Sequence, residues 1–91
     1  MGLFVRAASA DKIFDAFAKL ERYLQVLKAR EGVLYLVPSK PQENMMSLAV
    51  LREIGNREVT LCIVAPPSAI VNCDEVLAWP GWKPGPVGGD Q

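Results

Sequence analysis

The chain has 91 residues, ten basic and ten acidic side chains, no histidine, two cysteines and 51% hydrophobic residues, which describes one small globular unit with a modest core and no room for a second domain. Zero formal net charge removes the long-range attraction behind most nucleic-acid and anionic-membrane binding. The lack of histidine excludes His-based triads, zincin sites and His-containing zinc sites.

The N-terminal run Met1 to Arg6 has three apolar residues and then arginine. That is no secretory h-region, and Arg6 stands where N-myristoylation requires Ser or Thr. Leu3-Phe4-Val5 reads as a short first strand, which gives the order strand, helix, strand, strand, strand. The crossover is right-handed if the first two strands are parallel.

From Ser9 to Gly32 the pattern is helical, with Ser9 as N-cap, Asp11 in the first turn, Lys28 and Arg30 in the last, and Gly32 just past the end. Ala10, Ile13, Phe17, Leu20, Leu24 and Leu27 recur at spacings of three and four, with Phe14 beside them, and form one apolar stripe. Asp15, Lys19, Arg22 and Arg30 fall opposite, with Val26 isolated among them. A coiled-coil seam is the rival reading of the stripe, but fewer than three heptads and the bulk of Phe14 and Phe17 favour packing on a sheet.

After Gly32 the period becomes that of strands. Val33 to Val37 is a β-branched and aromatic run ended by Pro38, and Ser39-Lys40-Pro41-Gln42 is a loop. Met45 to Ile54 and Glu58 to Ala65 flank Gly55-Asn56, a pair suited to the positive φ angles of a tight hairpin turn. A helix over Glu43 to Glu53 capped by Gly55 is the rival reading, since Met, Leu, Ala, Arg and Glu are helix formers. A two-residue turn also sets Glu53 opposite Glu58, a mildly unfavourable pair unless a longer loop shifts the register. Beyond Pro66 the chain is rich in Pro and Gly, with one short helix or strand inside Ser68 to Trp79 and an irregular, flexible tail over 80–91.

Little of this carries chemistry. Asp11 and Asp15 lie on a solvated helix face, and Asp15 has Lys19 four residues on as an ion-pair partner. Asp74-Glu75 lacks the spacing of a calcium loop. Cys62 and Cys73 are eleven positions apart, outside CxxC spacing and too few for a zinc site or a disulfide framework, so both read as reduced thiols of a cytoplasmic protein; a Cys62–Cys73 disulfide is the alternative. Asp74 would raise rather than lower the Cys73 pKa. Neither a P-loop nor a GxGxxG fingerprint occurs. The longest strongly apolar stretch, Leu61 to Ala65, stops at Pro66-Pro67, far short of the ~20 residues of a membrane span. Arg52 and Arg57 flank the predicted turn, with Arg30, Lys40 and Tyr35 as further candidates for nucleic acid, but Glu31, Glu43, Glu53 and Glu58 interleave with them and make a mixed surface.

The sheet faces are more informative. If Leu34, Leu36, Leu48, Val50, Val59, Leu61 and Ile63 face the helix, then Val33, Tyr35, Val37, Ala49, Leu51, Cys62 and Val64 face away, and both faces are largely apolar. One helix covers one face. The second requires Ile70, Val71, Val76, Leu77 and Trp79 folded back over it, a second copy, or another protein.

The expected fold is therefore α+β: one long N-terminal helix packed on a small, mainly antiparallel sheet of three to four strands, as a single domain over 1–79 with a Pro/Gly-rich tail over 80–91. The expected role is that of a non-catalytic protein-binding module, an inhibitor, adaptor or minor subunit, with Tyr35, Leu51, Arg52, Arg57 and Trp82 contacting a protein partner or a second copy. No cofactor, metal or membrane is implied. A nucleic-acid-binding protein using the sheet and the hairpin arginines is the alternative, disfavoured by the charge balance.

Overall fold

A computed structural model of the chain describes residues 2–6, 9–38 and 44–84. In chain order these form β1 (Gly2–Arg6), α1 (Ala10–Leu27), β2 (Glu31–Val37), β3 (Met46–Ile54), β4 (Arg57–Ala65), α2 (Pro67–Ile70), a 3-10 turn (Val71–Cys73), α3 (Asp74–Leu77) and β5 (Lys83–Pro84). The predicted loop at Ser39 to Gln42 with Glu43, and the tail beyond Pro84, lie outside the described residues.

The class is α+β, but the sheet differs from the expected one. It has five strands in the order β1-β2-β4-β3-β5. The β1–β2 and β2–β4 pairs are parallel, and the β3–β4 and β3–β5 pairs antiparallel, so the sheet is mixed. Two connections account for this. Helix α1 provides the crossover that the parallel β1–β2 pair requires. The β3–β4 hairpin then inserts with β4, not β3, beside β2, and β4 runs in the direction of β2. Period-two alternation marks which segments are strands; it carries no information on which neighbour each one takes.

The hairpin forms as expected, and the rival helix over Glu43 to Glu53 does not. Gly55 and Asn56 both take positive φ, 55° and 69°, the signature of a two-residue type I′ turn whose twist matches that of the flanking strands. Pairing runs from Met46↔Ala65 to Ile54↔Arg57 and includes Glu53↔Glu58, with no shift that separates the two acids.

Helix α1 buries Ile13, Phe17, Leu20 and Leu24 and leaves Val26 exposed as expected; Leu27 and Phe14, read from sequence as part of the buried stripe, are exposed as well. Ser9 is extended at the N-cap and its carbonyl accepts the Ile13 N–H at 3.0 Å, but its hydroxyl makes no capping bond. The C-terminus corrects the sequence reading. The helix ends at Leu27, Lys28 takes the left-handed conformation with φ 55°, and the Lys28 and Ala29 N–H groups both donate to the Leu24 carbonyl, the αL-cap bond and the long bond of a Schellman motif on one acceptor, with a lysine where glycine is usual. Arg57 Nη2 donates to the same carbonyl at 3.0 Å, which places a cation at the negative end of the helix. Lys28 and Arg30 therefore do not form the last turn, and Gly32 does not end the helix. Gly32 lies buried inside β2, where a Cβ would stand 2.6 Å from Leu24 Cδ1; its role is to let α1 approach the sheet.

The largest correction concerns the second apolar face. An α-helix is ~10 Å wide and strands lie ~4.8 Å apart, so one helix spans about two strands of a five-stranded sheet. The remainder of that same face is filled by the segment that follows β4. Ala69, Cys73 and Val76 join Ile13, Phe17, Leu34, Leu61 and Ile63 in the core. Trp79 and Trp82 meet the Phe17 ring edge-on at 5.5 and 6.1 Å. Trp82 Nε1 donates to the Val76 carbonyl at 2.9 Å, and β5 pairs with β3 through Leu48↔Pro84 and Ala49↔Lys83. Regular structure thus continues past Trp79 to Pro84, and the residues that fill this side, Ala69, Cys73, Val76, Trp79 and Trp82, belong to the helical side of the sheet.

Candidate functional site

Strand alternation assigns Leu34, Leu36, Val50, Val59, Leu61 and Ile63 to the buried helical side, as the sequence predicts. The opposite face is built in rows by the register of the strands. Phe4, Tyr35, Val64 and Ser47 align across the sheet; Gly2, Val33, Cys62, Ala49 and Lys83 form the next row, and Glu31, Thr60 and Leu51 a third. Beyond them stand Glu53 and Glu58, and at the other end Arg6 beside Val37. No described helix lies over this face, since the buried residues of α1, α2 and α3 all belong to the core on the other side.

The face is apolar at its centre. The Phe4 and Tyr35 rings pack at 5.2 Å with 46° between their planes. Phe4 is nevertheless 73% exposed and Leu51 63%. Val33, Tyr35, Val37, Ala49 and Cys62 are half-buried. Between the aromatic row and Leu51, the small side chains leave a shallow concavity of about 240 Å³ lined by Val33, Ala49, Thr60, Cys62 and Val64 with Glu31 and Gly32. Ser47 and Val64 are buried, and the Ser47 hydroxyl and Cys62 thiol stand 3.1 Å apart in hydrogen-bond contact.

Of the five residues singled out from sequence, the fold brings Tyr35 and Leu51 to this face and sends the other three to the opposite side. Arg52 is ion-paired to Glu21 at 3.3 Å and its guanidinium stacks 3.7 Å over the Trp79 ring. Arg57 is bonded to the end of α1, and Trp82 stacks on Trp79 at 6.3 Å and 17°. Position alone explains this: Arg52 shares the parity of Val50 and Ile54, and Arg57 that of Val59 and Leu61. Val33 was assigned to this face by parity but not singled out among the five, and Phe4 was not placed there at all, although the same parity rule selects it once β1 is paired with β2.

The Cys73 thiol is not activated. Cys73 is buried, its Sγ bonded to the Ala69 carbonyl at 3.6 Å, and burial, assisted by the Asp74 charge, pushes its pKa up to about 11. Both cysteines are free, so the alternative disulfide does not form. Among the described residues, no three of Cys, Asp and Glu converge as metal ligands, and no helix is long and apolar enough to cross a membrane.

Fold and face together define a small α+β domain with helices on one side of a mixed sheet and an apolar surface on the other. Comparison with protein-family models, with curated proteins and with solved structures finds no match.

Proposed function

We propose that the chain is a non-catalytic protein-binding module whose docking surface is the sheet face carrying Phe4, Val33, Tyr35, Val37 and Leu51. One observation carries the reading: Phe4 and Leu51, at 73% and 63% exposure, stand in register with half-buried apolar neighbours on a face that no described helix covers. Contiguous apolar surface of this kind mostly marks an interface, because leaving it in water is unfavourable in proportion to its area. Rigid strands present the side chains with little conformational freedom left to lose on binding. The nucleic-acid alternative has less support, since Arg52 and Arg57 are turned to the helical side while Glu31, Glu53 and Glu58 edge the open face.

The test is photo-crosslinking in the host cell from a probe at position 51, with Val26 on α1 as the control, an apolar residue 72% exposed on the helix rather than on the open sheet face. The expected outcome is a discrete polypeptide adduct from position 51, lost on Phe4→Lys, and none from position 26. Equal labelling from both positions, or none from either, refutes the reading.

A further inference from the structure

The two edges of the sheet are guarded unequally. At one, β5 is only two residues long, and Pro84 offers no N–H beside Lys83, the usual protection of an edge against further strands. At the other, β1 is a five-residue strand without proline, in unbroken register with β2 from Gly2↔Val33 to Arg6↔Val37, and no described strand pairs with its outer side. Alternate residues of a strand turn their N–H and C=O groups to opposite sides, so β1 presents a row of donors and acceptors outward. Helix α1 sets the charge beside that row. Glu21 pairs with Arg52 of β3, Gln25 lies against Gly55 at the β3–β4 turn, and Phe17 meets Trp79, so that flank of the helix looks toward β3. At 100° per residue the opposite flank, on the β1 side, carries Lys12, Ala16, Lys19 and Tyr23. Neither lysine has an ion-pair partner among the described residues. Asp11 and Asp15 fall on the surface that faces away from the sheet, opposite the buried Ile13, Leu20 and Leu24, and exposed Arg6 ends the strand itself.

We propose that the β1 edge accepts an extended acidic segment of another protein as a sixth strand. Main-chain hydrogen bonds supply affinity that any strand could use, and the cations beside the edge select an acidic one. Side chains of an added strand alternate between the two sides of the sheet. Those on the helical side lie below Lys12 and Lys19, where carboxylates are favoured; those on the open side lie beside Phe4, where an apolar side chain extends the contact that Phe4 makes with Tyr35. A second copy of this chain is the poorer occupant. Pairing β1 with its own copy about a two-fold axis normal to the sheet turns the two α1 flanks toward each other and sets lysines against lysines. The edge is a surface separate from the open face that carries Leu51, so the two readings stand or fall independently.

The experiment titrates the full chain, up to about 1 mM, into a fluorescent decapeptide of alternating Glu and Val, with the alternating Lys and Val peptide as control. The expected result is a saturable rise in anisotropy with the acidic peptide, about tenfold tighter than with the basic one, and weakened as salt rises from ~0.05 to ~0.5 M. Methylating every second peptide amide should abolish binding in one phase and spare it in the other, because only one alternate set of N–H groups faces β1. That readout leaves the protein unaltered. Lys12→Glu combined with Lys19→Glu, both at exposed helix positions, should remove the preference for the acidic peptide, with circular dichroism verifying the fold. Four results each overturn the proposal: no binding of the acidic peptide, equal binding of both peptides, equal tolerance of methylation in the two phases, or a preference that survives the double reversal.

Discussion

Gly32→Ala tests the account of how α1 meets the sheet. The added methyl would stand 2.6 Å from Leu24 Cδ1 and 3.2 and 3.3 Å from Cδ2 and Cγ. Leu24 is fully buried in the core cluster, so any shift of its side chain is taken up by packed neighbours. Overpacking of this kind costs ~1–3 kcal/mol, against which the alanine recovers about 0.4–1 kcal/mol by restricting the unfolded chain. The net expectation is a loss of about 1–2 kcal/mol, or roughly 5–15 °C in Tm for a domain of this size. Urea denaturation followed by tryptophan fluorescence measures it. A double-mutant cycle with Leu24→Ala sharpens it, because shortening Leu24 makes the room that the added methyl needs. The cost of Leu24→Ala, about 2–5 kcal/mol alone, should fall by at least ~1 kcal/mol in the Gly32→Ala background. A neutral or stabilising Gly32→Ala with additive energies would refute the close-approach argument.

Arg52→Ala removes both the contact with the Trp79 ring and the partly exposed ion pair with Glu21, and should lower stability by about 1–2 kcal/mol in urea while shifting tryptophan emission. Glu58→Lys should raise stability by a few tenths of a kcal/mol by relieving Glu53, read from urea midpoints. Cys73 holds its proton to about pH 11 when folded against an ordinary value of 9.0. Its raised pKa therefore adds stability that is complete below pH 9 and lost as pH rises toward 11, about 2–3 kcal/mol in all. Stability profiles of the protein and of Cys73→Ala over that window should differ by this slope, and parallel profiles would contradict the burial argument. At pH 8 an alkylating reagent should modify Cys62 in the native protein and reach Cys73 only on unfolding.

The sequence made the strands, their faces and the hairpin turn legible because each depends on local order: Leu34 and Leu36 alternate with Val33 and Tyr35, and Gly55-Asn56 has few alternatives to a tight turn. The neighbours of each strand depend on distant segments. Hence the mixed sheet, with β4 rather than β3 beside β2, was not readable from period alone. Gly32 illustrates the same limit. A glycine after a helical stripe has two physical uses, ending the helix or admitting a neighbour, and only the position of Leu24 in space distinguishes them. Arg52 and Trp82 looked free for a partner because their own partners, Trp79 with Glu21 and Phe17 with the Val76 carbonyl, lie far away in the chain or in an irregular segment without a periodic signal.

The Leu24 carbonyl receives the N–H groups of Lys28 and Ala29 and the Arg57 guanidinium, which begins the returning arm of the hairpin. Gly55, at the hairpin tip, lies against Gln25 of the same helical turn, where an added Cβ would meet Gln25 Nε2 at 3.2 Å. Helix ends and hairpin tips ordinarily fray first and separately. Here the Arg57 bond to Leu24 ties one to the other, so the last turn of α1 and the β3–β4 turn should open together in amide exchange, with the least protected backbone at β1 and β5, the strands paired on one side only.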